Sequence, residues 1–506
     1  MPGINISTAV RTGPTSTTVR ESSQAFFVGK AFRGPTDRAH LITGMEQFEL
    51  HYGGYVNGNY LYSTVETFFE EGGSQCYVAR TIGDDAVSAV LSLKNDTTTV
   101  ITLTAVGAGI WASDEDSADR LSAIITPGTA ADTSVFKLYK GGKLVMSTGN
   151  CTTNQQIVGK INVHPVASLL CFAEVIGGKE TIDLADSPSS TVFFGNSTDA
   201  DGADGDAVTD SNYISSLDLF LDAYGTGAVA CPESTGINDE LIAHANSMNR
   251  LAFLYPGAGM DPNDATTGGD FEDLISITQG IQGNENAEHV AFFAPWVYVP
   301  TGTTGVNRLI PPVGYAAGAR ARAHNNVGPH QPGAGATSVA RFVNGVEFAI
   351  GSTVGDALDV ESVNAIRVIN NTIRIYGARS CSGDLPNFRY ITAQDVLNHV
   401  VVESYRGLED ILFRPIDARN ALFVAIKQRL QSILEGLRTI GAIYPAFDNT
   451  GRQIDYGYTV ICDSSINPIA NLVDGTVTAR VGLRVTGIGD SIQVDIIKSS
   501  LTASVV

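Results

Sequence analysis

Three stretches of this chain are apolar from end to end: residues 227–232 (GAVACP), 251–257 (LAFLYPG) and 289–300 (HVAFFAPWVYVP). Around and between them, residues 213–223, 238–249 and 271–279 carry apolar side chains at helical spacing. A strand without a polar face is stable only where both faces of its sheet are covered, and helices returning between such strands supply that cover. The alternation predicts an α/β body, a sheet with helices on its faces, over residues 213–300.

The flanking segments read differently. Residues 86–195 alternate apolar and polar positions between turn signals (VSAVLSLKNDTTTVITLTAVGAG, VFKLYKGGKLVMSTG, STVFFG), which predicts an all-β insertion, a sandwich or small barrel. Residues 196–212 (NSTDADGADGDAVTDSN) form an acidic, glycine-rich linker. Its aspartates suggest calcium, but an EF-hand loop begun at Asp199 needs glycine at its sixth position and has Asp204 there. Upstream, residues 25–29 predict a short buried strand. Residues 60–71 predict a helix carrying Leu61, Val65, Phe68 and Phe69, stopped by Gly72 and Gly73, with CYVAR as the next strand. Downstream, residues 418–440 predict a long helix capped by Asp417. Leu422, Phe423, Ile426, Leu430, Ile433, Leu434 and Leu437 line one face, and Arg419, Lys427 and Arg438 stand on the other, where they can touch an acidic partner. Residues 458–463 and 476–484 read as strands.

The two ends share a character. Residues 1–22 are too poor in apolar residues to order alone, yet Ile4, Ile6, Val10 and Val19 suit pairing as a strand. Ile492, Val494 and Ile496 alternate beyond a TGIGDS break, an arrangement poor for self-packing and good for joining a neighbour's sheet edge.

Composition narrows the partners. A chain of 506 residues exceeds one ordinary core, so several domains are expected. With 17% charged residues it suits a protein that hides surface in partners. The net charge of −21 repels nucleic acid, and no direct nucleic-acid binding is expected. That charge is uneven: Arg250 is the only Lys or Arg in 181–276, whereas arginines slightly outnumber carboxylates in 300–445. An acidic face set against a neutral-to-basic one predicts opposite orientations toward solvent and partner. The six cysteines lack CxxC spacing and are expected as reduced, buried thiols. Neither an apolar leader nor a run of roughly 18 apolar residues is present, so no stable membrane insertion is expected.

Chemistry-bearing motifs do not appear. GxSxG, GxxxxGK[ST] and HExxH are missing, and the eight histidines form no i,i+4 pair. No catalytic, cofactor or metal residue is assigned. The stretch 308–324 (RLIPPVGYAAGARARAH) looks at first like a phosphate loop. However, Pro311 and Pro312 have no N–H to offer an anion, and the small residues after them fall on most faces of a short helix. That is a packing device, with Arg320 and Arg322 directed to different sides.

Several blocks, in order, resemble the tail-sheath proteins of contractile phage tails and related injection machines. Residues 22–83 carry AFFVGKAFRGP and the YLYSTVETFFEEGGSQCYVAR helix–strand unit; GADGDAVTDSNY is similar to the family's linker. In 308–332 the resemblance rests on Pro311, Pro312, Gly314, Gly318 and Arg322, with Val313 where serine is usual and the aspartate after the arginine missing. In 362–417 it rests on Asn364, Gly377 and Arg379, with TIRIYG for GIRVWG; the usual GxxGN entry to the insertion is absent.

The resemblance implies an α/β and α+β multidomain fold: an arm at 1–22, core at 23–85, β insertion at 86–195, linker at 196–212, middle domain at 213–300, a tube-facing C-terminal sheath domain at 301–484 and an arm at 485–506. It also implies stacked six-fold rings of this chain around an inner tail tube, with baseplate and tail-terminator partners and no cofactor. The setting would be a virion tail or a similar contractile particle assembled in the host cytoplasm. An α/β enzyme with a β accessory domain, or a non-contractile shell or adhesin protein, are the alternatives.

Overall fold

Eight strands build the central sheet in the order Thr372–Tyr376, Val363–Ile369, Val290–Ala294, Leu251–Leu254, Ala228–Ala230, Ala25–Lys30, Cys76–Thr81, His40–Ile42. The inner six run parallel, and each outermost strand is antiparallel to its neighbour. The apolar runs lie at the heart of this sheet because their side chains are buried on both faces. Phe27, Ala230, Phe253 and Phe293 point to a face covered by the helices Leu61–Glu70 and Val313–Asn326. Phe26, Val229, Leu254 and Phe292 point to the other, covered by Asp210–Leu217, Asn238–Ser247, Asp270–Gln282 and Ser352–Val360.

This computed structural model describes residues 21–95, 98–177, 191–196, 199–301, 305–416 and 420–490. Ile4, Ile6, Val10, Val19, Ile492, Val494 and Ile496 lie outside the described residues, as do Asp417 and Arg419.

Three expectations need correction. The apolar run 289–300 is two strands: Val290–Ala294 in the central sheet and Val297–Pro300 in a small sheet with Asn307–Ile310 and Gly345–Val346. Pro295, between them, has no N–H to continue a ladder. The insertion is not all β. Its four-stranded and three-stranded sheets share one core with the helix Asn154–Val163, which buries Ile157, Val158 and Ile161 and is capped by the Thr153 side chain. In the acidic linker Ala203 bridges Val87, and Asp206 N donates to Asp84 O, so the two crossings into the insertion run side by side. Its carboxylates take backbone N–H groups, Asp199 from Ser92 and Asp204 from Ile110. The long helix spans Ala421–Thr439, preceded by Asn420 in left-handed backbone (φ 56°).

A separate core joins Ile391–Glu409 and Ala421–Thr439 to the two-stranded sheet Tyr458–Ile461/Arg480–Leu483, through Val396, Val400, Leu430, Leu434 and Val460. All six cysteines are free and buried.

Candidate functional site

The small-residue stretch is the helix Val313–Asn326, buried from Val313 to His324. Pro311 and Pro312 precede its first turn, and the Pro312 carbonyl receives Ala316 N at 2.9 Å. Gly314 and Gly318, one turn apart, meet the helix Leu61–Glu70. A Cβ on Gly314 would stand 2.5 Å from the Thr64 carbonyl oxygen; one on Gly318 would stand 2.7 Å from Glu71 Cβ and 2.9 Å from the Phe68 carbonyl. The glycines therefore permit a backbone-to-backbone approach that no other residue allows without movement.

Arg320 and Arg322 leave this helix in different directions, and each finds a buried carboxylate. Arg322 donates to the Glu71 carbonyl (2.7 Å), to Glu71 Oε2 (3.4 Å) and to the carbonyls of Thr337 and Val339. Arg320 makes a bidentate pair with Asp395. Burial raises the Asp395 carboxyl's pKa, but Arg320 and then His324 outweigh this and hold it below its ordinary value. Burial, then Arg320, pushes His324 down. His324 Nδ1 lies 3.1 Å from Ser22 O, and its Nε2 lies 3.4 Å from Asp395 Oδ2.

Asn364 staples the sheet to the segment that leaves it. Its Nδ2 donates to the carbonyls of Phe292 and Arg379, and its Oδ1 accepts Arg379 N at 2.7 Å. Gly377 passes so close that a Cβ there would lie 2.9 Å from Asn364 Oδ1. Arg379 pairs with Asp359 and with Asp490. The residues that carry the sheath resemblance thus converge on packing seams between elements distant in sequence.

In α/β sheets the crevice at the point where strand order reverses is where ligands commonly bind. Here that point lies between Ala25–Lys30 and Ala228–Ala230, and the chain fills it itself. Glu233 Oε1 accepts the N–H groups of Tyr60 (2.8 Å) and Leu61 (3.1 Å), and Lys30 Nζ lies 3.7 Å from its Oε2. A carboxylate thus occupies the helix N-terminus to which a phosphate would bind. Among the described residues no group of three or more His, Cys, Asp or Glu could hold a metal ion.

The sheet edges differ. Along Thr372–Tyr376, Ser338 Oγ accepts Ile375 N and donates to Ile375 O, while Ala340 N donates to Ile373 O; that edge is sealed. The C-terminal sheet has two strands among the described residues. A groove of about 730 Å³ lies beside Tyr458, Thr459 and Val460, walled by Lys427, Gln431, Ser432 and Glu435. Another of about 660 Å³ is lined by Phe388, Leu397, Tyr458, Leu483 and Val485. Lys427 is exposed; Arg438 is paired with Glu435 and lies over the Tyr456 ring.

Sequence reasoning did not name Glu71, Asp395, Glu233 or Ser338. Two arginines on a helix rich in glycine and alanine were the available signal, since such a helix is packed closely and its charges need buried partners.

No protein-family model and no curated protein sequence matches this chain. Solved structures do. A chain of the anti-feeding prophage baseplate aligns at TM-score 0.54 and 13% identity, covering 99% of each chain. The contracted sheath complex of the PVC extracellular contractile injection system aligns at 0.54 and 12%, covering 99% of this chain and 98% of that one. A sheath tail protein of Listeria innocua aligns at 0.59 and 13%, covering 88% and 89%. The fold of this chain is that of the contractile tail-sheath proteins.

Proposed function

We propose that this chain is the structural subunit of a contractile tail sheath, polymerised as stacked six-fold rings around an inner tube and shortening to drive that tube through a cell envelope. The observation that carries this reading is the likeness, over 98–99% of the chain, to proteins of a contracted sheath and of a baseplate. Residues 1–22 and 485–506 serve as arms rooted on the body at Ser22 and at Val485–Asp490, and their outer parts, about Ile4–Val10 with Ser16–Val19 and Ile492–Ser499, donate strands to the two-stranded sheet of neighbouring subunits. Main-chain hydrogen bonds then keep subunits joined while they rotate, and head-to-tail contacts of this kind build open helical arrays. The contrast between the sealed Thr372–Tyr376 edge and the grooves beside Tyr458–Ile461 supports that acceptor.

Residues 301–484 face the tube, and the acidic 181–276 region and the insertion face outward. The inner tail tube protein, baseplate and tail terminator are the partners, in a virion tail or similar contractile particle assembled in the host cytoplasm. Energy for shortening resides in surface buried on contraction. The filled crevice at Glu233 favours this reading over an α/β enzyme.

Negative-stain electron microscopy of the purified chain, beside a version lacking residues 1–22, tests it. Striated hollow tubes from the full chain and short oligomers from the truncation are expected. Tubes from both would remove the N-terminal arm as an essential link, and monomers under every condition would overturn the sheath assignment.

A further inference from the structure

Both terminal segments leave the body from anchored roots, and the anchors meet. At the N-terminal root Ser22 and Ser23 are fully buried, and the Ser22 carbonyl faces His324 Nδ1 at 3.1 Å. His324 lies one turn after Arg320 on the helix Val313–Asn326, and Arg320 grips Asp395 with two hydrogen bonds. Asp395 sits near the start of the helix Ile391–Glu409. At the C-terminal root, Asp490 accepts the Tyr390 hydroxyl at 2.6 Å and faces Arg379 Nη2 at 3.1 Å. Tyr390 is the residue immediately before that same helix, and its backbone bridges Arg379.

One short piece of chain, 390–395, therefore touches the C-terminal root directly, through Tyr390, and reaches the N-terminal root through the helix Val313–Asn326, by way of Arg320 and His324. These links are charged or polar, and Asp395, on the N-terminal side, is buried, where such bonds hold a fixed geometry. Beside the apolar Ile391 and Val396, this helix start buries four polar residues, Thr392, Gln394, Asp395 and Asn398, with Gln394 bonded to Asn398 and His289. The polar part of this seam is specified by the geometry of its bonds, which gives a displacement at one end a route to the other.

We propose that residues 390–395 couple the two roots, so that releasing the C-terminal root loosens the N-terminal one. The coupling rests on the arm reading only for its use, which would be to pass load from the neighbour holding one arm to the neighbour holding the other.

Hydrogen exchange on the unassembled full-length subunit tests the coupling. Asp490→Asn and Tyr390→Phe should speed exchange at residues 21–24 by about five-fold or more, the low end of typical coupling between sites. Leu121–Pro127 in the insertion should be unaffected. Asp455→Asn removes another exposed carboxylate of the C-terminal unit, paired with Arg484, and should leave 21–24 unchanged. In a double variant, Arg320→Met with Asp395→Leu, an apolar pair replaces the ion pair and the effect of Asp490→Asn should no longer reach 21–24. Loosening confined to 484–490, an equal response to Asp455→Asn, or transmission surviving in the double variant would each overturn the proposal. Tube formation plays no part in this readout, so it fails or stands separately from the sheath reading.

Discussion

Arg322 and Glu71, 251 positions apart, close the contact between the two helices that cover one face of the central sheet. The Glu71 carboxylate is fully buried and also collects the backbone N–H groups of Arg341, Phe342 and Val343. Removing it leaves the guanidinium's charge unpaired and three amides without their acceptor. Glu71→Ala should lose about 3–5 kcal/mol, the usual cost of leaving a buried charge unpaired. Glu71→Gln, which keeps an acceptor oxygen, should lose less. Urea unfolding of both variants checks the order and the size.

The glycine seam predicts a contrast among glycines that all lie in helices. Gly314→Ala and Gly318→Ala force a Cβ against the Thr64 carbonyl and Glu71 Cβ, and each should cost about 1–3 kcal/mol. Gly280, in the helix Asp270–Gln282, has open space where a methyl group would stand, with no neighbouring atom within 4 Å. Gly280→Ala should gain up to about 1 kcal/mol from helix propensity. Equal effects at the three positions in thermal unfolding would mean that close approach is not what the seam requires.

What could be read in advance depends on the range of each signal. The runs 227–232 and 251–257 announced buried strands because burial on both faces leaves a continuous apolar record in the chain itself. The helix at 313–326 was legible as packing for the same reason: its glycines and alanines declare close neighbours on every side. The partners of its arginines were not legible, since Glu71 and Asp395 look like any surface carboxylate until the fold brings them in. The insertion's helix was hidden by context. Thr153 and the Ile157, Val158, Ile161 spacing lie between strongly alternating strands, and that alternation masks a single short helix. The contacts of the acidic linker were not legible either, since its composition does not say that Asp199 and Asp204 take the amides of Ser92 and Ile110.

Acid should destabilise the folded chain before ordinary carboxylates titrate. Burial, then Arg250, pushes His244 to about 3, and its Nε2 faces Arg250 Nη1 at 2.7 Å. Burial, then His51, pushes His40 to about 4. Both values lie below 6.5, so the unfolded chain takes up protons first and stability, complete above that pH, falls as pH drops through it. The buried His244 contributes roughly 1.4 kcal/mol per pH unit on the way down. His40 is partly exposed and contributes less. Melting temperatures between pH 6.5 and 5 should fall in the parent chain and fall less steeply in His244→Asn. Parallel slopes would assign the loss to other groups.

The proposed tube-facing role of the long helix can be divided between Lys427 and Arg438, the two residues of that reading that lie among the described ones. Arg438 is engaged by Glu435, which leaves little net field for a partner, and it also lies over Tyr456. Lys427 is exposed on the groove beside Tyr458–Val460. A steering contact with an acidic tube depends on net charge at the surface and weakens with salt over a Debye length of about 8–10 Å. Lys427→Glu should therefore abolish co-sedimentation of the subunit with preformed inner tubes at low salt, whereas Arg438→Gln should reduce it only slightly. If Lys427→Glu still binds tubes but no longer forms its own, the residue belongs to the strand-acceptor groove and the helix faces a neighbouring subunit, not the tube. Tube binding and self-assembly that both survive the reversal would remove Lys427 from either contact.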